Sequence, residues 1–153
     1  MSEFLTSVEG SALAVWTRES TSIWAYPTIL TLHTAGLAIV AGVSAVVDAR
    51  LLGLAQQMPV AALRPLFRIL WWAFALNFIT GVVLFMADAT TKSSQTVFWV
   101  KLALIALALV VTEQVSRVVR ADEQPNGRAR LLAILSLVLW TAAIVAGRLL
   151  AYL

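Results

Sequence analysis

The chain has 153 residues, of which 61% are hydrophobic and only 12% charged, with a mean hydropathy of +0.89. That is more apolar surface than one soluble core of this length can hide, and it defines an integral membrane protein. The net charge of +3 comes from few basic residues spread over several loops, not from a basic face interleaved with aromatics, so nucleic acid is excluded as a partner. The absence of cysteine excludes disulfides, iron–sulfur clusters and thiolate metal sites within the chain.

The first residues carry Glu3 and Glu9 where a secretory leader carries Lys or Arg, which predicts no cleaved leader. Phe4, Leu5, Val8, Ala12, Val15 and Trp16 recur at three- and four-residue steps. This pattern predicts a short amphipathic helix over about residues 3–17, lying on the membrane surface, with Gly10 as its weak point.

Four spans follow, over about residues 22–48, 66–88, 97–119 and 129–150. No charge occurs in residues 20–47 or 69–87, and the window 131–147 is clear as well. The third window is interrupted by Lys101 near its start and Glu113 near its end. Long apolar runs without two-residue alternation predict helices, not a barrel, because backbone polar groups cannot be left open in lipid. The expected fold is an all-α transmembrane four-helix bundle forming a single domain over 1–153. Pro125 and Asn126-Gly127 predict a turn between spans three and four.

Between spans one and two lie Arg50, Arg64 and Arg68, and between spans three and four lie Arg117, Arg120, Arg128 and Arg130. The opposite side holds only Arg18, Lys92 and Arg148. The positive-inside rule makes both basic loops cytoplasmic, which puts both termini on the periplasmic side of a bacterial inner membrane. Trp24, Trp99 and Tyr152 then fall at the outer interface. Small-residue pairs, Ala38 with Gly42 and Ala41 with Ala45 on span one, Ala142 with Ala146 and Ala143 with Gly147 on span four, predict close helix contacts within the bundle or between protomers.

His33 is the only histidine. It stands ten residues past Ile23, about 15 Å along a helix, which predicts a position near mid-membrane. Tyr26, Val40 and Ser44 share its helix face, which should look into the bundle. An imidazole at that depth needs a partner. It can ligate a haem iron or another metal, take part in proton transfer or bind a polar ligand; the structural alternative is a neutral ring hydrogen-bonded to Asn77, Thr80 or a carbonyl. Lys101 either snorkels to the interface or turns inward, towards an anionic group such as a haem propionate or a quinone oxygen. Glu113 with Arg117 one turn on predicts an interfacial ion pair. Asp48 and Arg50 at the end of span one, and Asp88 at the end of span two, are expected to cap and anchor helices. No nucleophile–base–acid set or phosphate loop is present.

Tyr26-Pro27, Leu32-His33, Gly36, VVDARLLGLA with Asp48 and Arg50, Pro59, TGVVLFMAD with Thr80, Gly81 and Asp88, and Phe98 with Lys101-Leu102 span nearly the whole chain. Together they resemble an uncharacterised family of small bacterial four-helix membrane proteins. In outline that family is similar to a group containing cytochrome b561-type proteins, copper-resistance membrane proteins and the bacterial membrane protoporphyrinogen oxidase. The resemblance implies a b-type haem bound through the first-helix histidine, His33, with the third-helix lysine, Lys101, oriented to the cofactor; Tyr26, on the His33 face by helix spacing, would border the same site. The group generally ligates haem through two histidines, and one is present here. A single-ligand haem, a pair of His33 with Met86, or a haem shared between chains is what the composition leaves. Three methionines, one histidine and no cysteine offer few soft ligands for copper export. The competing expectations are a non-catalytic accessory subunit of a membrane complex or homo-oligomer, and a small-molecule or ion pathway.

Overall fold

A computed structural model describes residues 2–121, 124–150 and 152 of the chain. The described residues form seven α-helices and no strand: α1 (Ser2–Glu9), α2 (Ala12–Glu19), α3 (Tyr26–Leu51), α4 (Arg64–Met86), α5 (Ala89–Ser94), α6 (Thr96–Arg120) and α7 (Gly127–Leu149), with a 3₁₀ turn at Val60–Leu63 before α4. Four of them, α3, α4, α6 and α7, are long and apolar enough to cross a bilayer. Their large apolar side chains face outward in numbers that water would not tolerate; Trp72 is 75% exposed and Val110 61%. The chain is therefore a multi-pass membrane protein, an all-α bundle in contact with lipid.

The N-terminal segment departs from the single surface helix expected over 3–17. Gly10 ends α1, and the Ser11 hydroxyl opens α2 by accepting from the Ala14 amide at 3.4 Å. A helix-weakening glycine followed by an N-cap serine makes a break here cheaper than a continuous helix. Both short helices pack on the bundle: α1 meets α5, α2 meets α4, and Ala14 and Thr17 are fully buried. The first span likewise begins at Tyr26 and not at 22. The Ser20 and Ser22 hydroxyls accept from the Ser22 and Trp24 amides, holding a turn, and Pro27 occupies the first helical turn, where its missing amide is harmless. At the other end α3 runs on through Asp48 and Arg50 to Leu51. It stops at Gly53, whose φ of +105° lets the Leu54 amide reach back to the Ala49 carbonyl. Asn126 caps α7 through the Ala129 amide at 2.9 Å, in the expected turn; residues 122 and 123 of that turn lie outside the described residues.

The spans pack in two antiparallel pairs, α3 with α4 and α6 with α7, joined along α3 and α7, while α4 and α6 touch sparsely. Gly36 lets α3 and α4 come close: a Cβ there would sit 3.0 Å from the Ala73 carbonyl oxygen. On α7, Ala143 and Ala146 are buried, as small residues at a contact should be. Gly42 on α3 differs, with no described residue within 4 Å of where its Cβ would stand, so no close helix approach requires a glycine there.

Both basic linkers lie at one end of the bundle and both termini at the other. At the basic end Val47, Leu51, Leu63, Phe67, Val115, Val119 and Ala133 form a continuous core. Arg64 ties α4 to α6 there, donating to the Val119 and Arg120 carbonyls at 3.4 and 3.0 Å. Lysine and arginine at helix C-termini satisfy the open carbonyls and complement the dipole. A second core layer, Val40, Leu70, Ala73, Ala108 and Trp140, lies next along the bundle. Beyond it, towards the termini, α4 and α6 part.

Candidate functional site

The parting of α4 and α6 opens two adjoining cavities, of about 550 and 480 Å³, that share His33, Gly81, Phe85, Phe98 and Lys101 as a common wall. The first opens at the termini end, past Tyr26, Arg18 and Lys92. The second is an apolar cleft between α4 and α6, lined by Phe74, Phe78, Trp99, Leu102 and Ile105, that opens sideways to lipid. Their volumes suit a small-molecule or cofactor site.

His33 stands two turns into α3. With the helix starting at Tyr26 and not near Ile23, the ring lies about 10 Å from the helix start, nearer the termini end than the mid-membrane position expected for it. Its Nδ1 is 3.0 Å from the Asn77 carbonyl oxygen and 3.2 Å from the Thr80 hydroxyl. The Asn77 amide nitrogen also lies 3.3 Å from Nδ1, but the carbonyl is closer and only accepts, so the tautomer with its proton on Nδ1, donating to Asn77, fits the shortest contact. The Asn77 side chain returns a bond from its amide to the His33 carbonyl at 2.7 Å, clamping α3 to α4 at this level. Thr80 is itself oriented by donating to the Leu76 carbonyl at 2.7 Å. The hydrogen-bonded alternative thus describes one nitrogen of the ring. The other, Nε2, has no hydrogen-bond partner among the described residues, and its lone pair is free.

Gly81 makes room for this ring. A Cβ at that position would meet His33 Cε1 at 3.0 Å, tighter than ordinary contact, so the glycine sets the imidazole against the α4 backbone. Lys101, five residues into α6, lies across Gly147 of α7, with Cε 3.5 Å from where a Cβ of that glycine would be. Its side chain is turned to the cavities, and its ammonium has no hydrogen-bond or ion-pair partner among the described residues. Phe85 and Phe98 stack at 5.1 Å between ring centroids, and Trp99 meets Phe98 edge-on.

The cations at the mouth are partly engaged. Arg18 donates to the Ala87 carbonyl at 3.2 Å, and Lys92 donates to the Leu150 carbonyl at 3.3 Å and lies 3.9 Å from Asp88. The cavity wall thus presents one free imidazole nitrogen, one unpaired ammonium and aromatic faces, with further positive charge at the rim. Of the residues singled out in the sequence, His33, Lys101 and Tyr26 are brought together. Met86 lines neither cavity, so the structure does not set it beside His33. Asn77 and Thr80 were legible as partners, whereas Gly81 and Gly147 were not, since only the packed helices reveal what a missing Cβ accommodates.

The Glu113–Arg117 pair forms as expected, at 3.3 Å on the lipid-facing side of α6. Asp48 does not behave as an anchor: it is 1% exposed, inside the bundle, with the Ser136 hydroxyl beside its carboxyl and no ion pair among the described residues. The hydrophobic window ends at Val47, but the helix continues to Leu51 and carries the acid inside with it. Compared with known protein families, curated proteins and solved structures, the chain shows no match.

Proposed function

We propose that this protein is a bacterial inner-membrane protein, with both termini on the periplasmic side, that binds a b-type haem in the cavity at the termini end. His33 would be the residue of this chain that holds its iron. The observation that carries the reading is the division of labour on that ring: Nδ1 is held by Asn77 and Thr80, and Nε2 has no partner among the described residues, on a side chain that lines both cavities. Metal-ligating histidines are typically held this way, with the second nitrogen donating to a carbonyl or carboxylate that fixes the tautomer and raises ligand basicity.

The rest of the wall suits the same group. Lys101 offers a charge to an acidic substituent, Phe85 and Phe98 offer flat apolar surface, and Gly81 keeps the imidazole from being displaced. Haem, when bound, would supply one-electron redox chemistry. This chain's own residues bind and orient it and keep water from its apolar face. Purified protein should show a Soret band, as isolated or after haemin addition, that His33→Ala abolishes and Lys101→Met weakens. A folded preparation that stays colourless and takes up no haemin would sink the proposal.

A second observation favours a homo-oligomer. Ala38, Gly42 and Ala45 form an exposed small-residue face on α3, and no described residue lies within 4 Å of where a Cβ of Gly42 would stand. Gly42→Leu should convert a detergent-solubilised oligomer into monomer by light scattering; an unchanged mass would remove this reading.

A further inference from the structure

A different layer of the bundle carries an all-oxygen cluster that neither the haem reading nor the packing uses. Trp140 of α7 donates to the Thr112 hydroxyl of α6 at 3.2 Å, which fixes the antiparallel register of the two helices. One turn nearer the basic end, that register sets Ser116 opposite Ser136. The Ser136 hydroxyl lies beside the Asp48 carboxyl of α3, and Ser44 is one turn away on the same face of α3. Three helices therefore carry buried oxygen-bearing side chains at one level.

All four are buried: Asp48 and Ser136 are 1% exposed, Ser44 5% and Ser116 0%. Among the described residues the Ser44 and Ser116 hydroxyls lack any hydrogen-bond partner, and the polar group facing the Asp48 carboxylate is the Ser136 hydroxyl. The hydroxyls had an alternative, since Thr17, Thr31, Thr34 and Thr80 each return a bond to the carbonyl four residues back. Ser44 and Ser116 leave that bond unmade, so neither the proton nor the lone pairs of these two hydroxyls has a partner among the described residues.

Nor does a cationic side chain among the described residues pair with Asp48. Arg50, also buried, turns to the Met58 and Gln56 carbonyls at 2.7 and 3.3 Å, and Arg64 is taken up by the end of α6. Glu113 and Arg117 pair with each other on the outside of α6. A buried carboxylate without a counter-charge is costly in any protein interior and more so in a membrane.

We propose that Asp48, Ser44, Ser116 and Ser136 form a buried binding site for a small monovalent cation of the sodium type. The donor set selects that class. Oxygen donors without nitrogen or sulfur disfavour transition metals. A single carboxylate balances one charge, whereas calcium and magnesium sites commonly recruit more than one acidic ligand. Bound at this level, the ion neutralises Asp48 and draws α3, α6 and α7 together.

The test is thermal unfolding of the purified protein in a non-ionic detergent at pH 8, with sodium chloride exchanged for choline chloride at constant ionic strength. Sodium should raise the unfolding temperature along a saturating curve, because a ligand of the native state stabilises by mass action. Asp48→Asn should abolish the rise, and Ser116→Ala or Ser136→Ala should move its midpoint to several-fold higher sodium. If Asp48→Asn does not fold, the two serine variants, which keep the carboxylate, carry the same comparison. A flat response to sodium, or an equal response in the variants, overturns the proposal. Stability that follows pH but not sodium would overturn it too, by showing that Asp48 holds a proton only.

Discussion

The two ends of the bundle are built from the same four helices to opposite effect. At the basic end α4 and α6 are closed by Phe67, Val115 and Val119 and tied by Arg64; at the termini end they part around His33 and Lys101. The difference lies in what each helix presents. The closed end interleaves branched and aromatic side chains, while the open end places glycines, Gly81 and Gly147, beside the two long polar side chains. In lipid, where no hydrophobic drive pulls helices together, association follows packing alone, so a cavity persists where packing atoms are withheld.

Truncation should expose the contrast most strongly. Phe67→Ala at the closed end should destabilise by roughly 2 kcal/mol, because in lipid the cavity part of a large-to-small change survives, at about 24 cal/mol per Å³. Phe78→Ala on the open cleft, where the side chain is already 61% exposed, should stay within about 0.5 kcal/mol. Reversible unfolding in mixed detergent micelles measures both, and equal losses would mean that the open end is as well packed as the closed one.

The same edit at two positions of α3 sharpens it. Gly36→Ala puts a methyl 3.0 Å from the Ala73 carbonyl oxygen and 3.1 Å from Asn77 Cβ, so α3 and α4 must separate, at about 1–3 kcal/mol. Gly42→Ala meets nothing and should be neutral or gain up to about 1 kcal/mol from helix propensity in the monomer. Near the closed end, Trp140→Phe leaves the Thr112 hydroxyl without its donor and should cost about 1 kcal/mol. Unfolding temperatures of the three variants rank these effects directly.

How much of this was legible in the sequence differs between the ends as well. Charge-free windows locate four spans because a bilayer filters on local composition, which a single chain displays in full. His33 stood out for the same reason, and Asn77 and Thr80 could be named as partners. Asp48 was misread because the hydrophobic window ends beside it; only the register of α6 against α7 shows Ser116 and Ser136 at its level. The break at Gly10-Ser11 was half legible, since the glycine was visible as a weak point but the decision to restart a helix rests on packing against α4 and α5. Interhelical register is a tertiary quantity, and composition does not carry it.

The smallest expected effect tests whether the N-terminal helices belong to the open end or merely rest on it. Glu9 at the end of α1 accepts from the Thr90 amide of α5 at 2.7 Å. The Thr90 hydroxyl, then that backbone bond and, more weakly, the Arg18 charge hold the Glu9 carboxyl below its ordinary pKa. A group whose folded pKa is lowered contributes stability that is present above its unfolded pKa and is lost as pH falls through the folded one. Docking of α1 should therefore weaken as the pH is lowered through and below the ordinary glutamate range, while the closed end, which uses no such contact, keeps its protection. Glu9→Gln, which keeps an acceptor oxygen but loses the charge, should remove most of that pH dependence with little change in global stability. Amide exchange at Thr90, followed against pH, reads the contact itself; an amide that exchanges equally fast in both proteins at neutral pH would show that α1 is not held by this carboxylate.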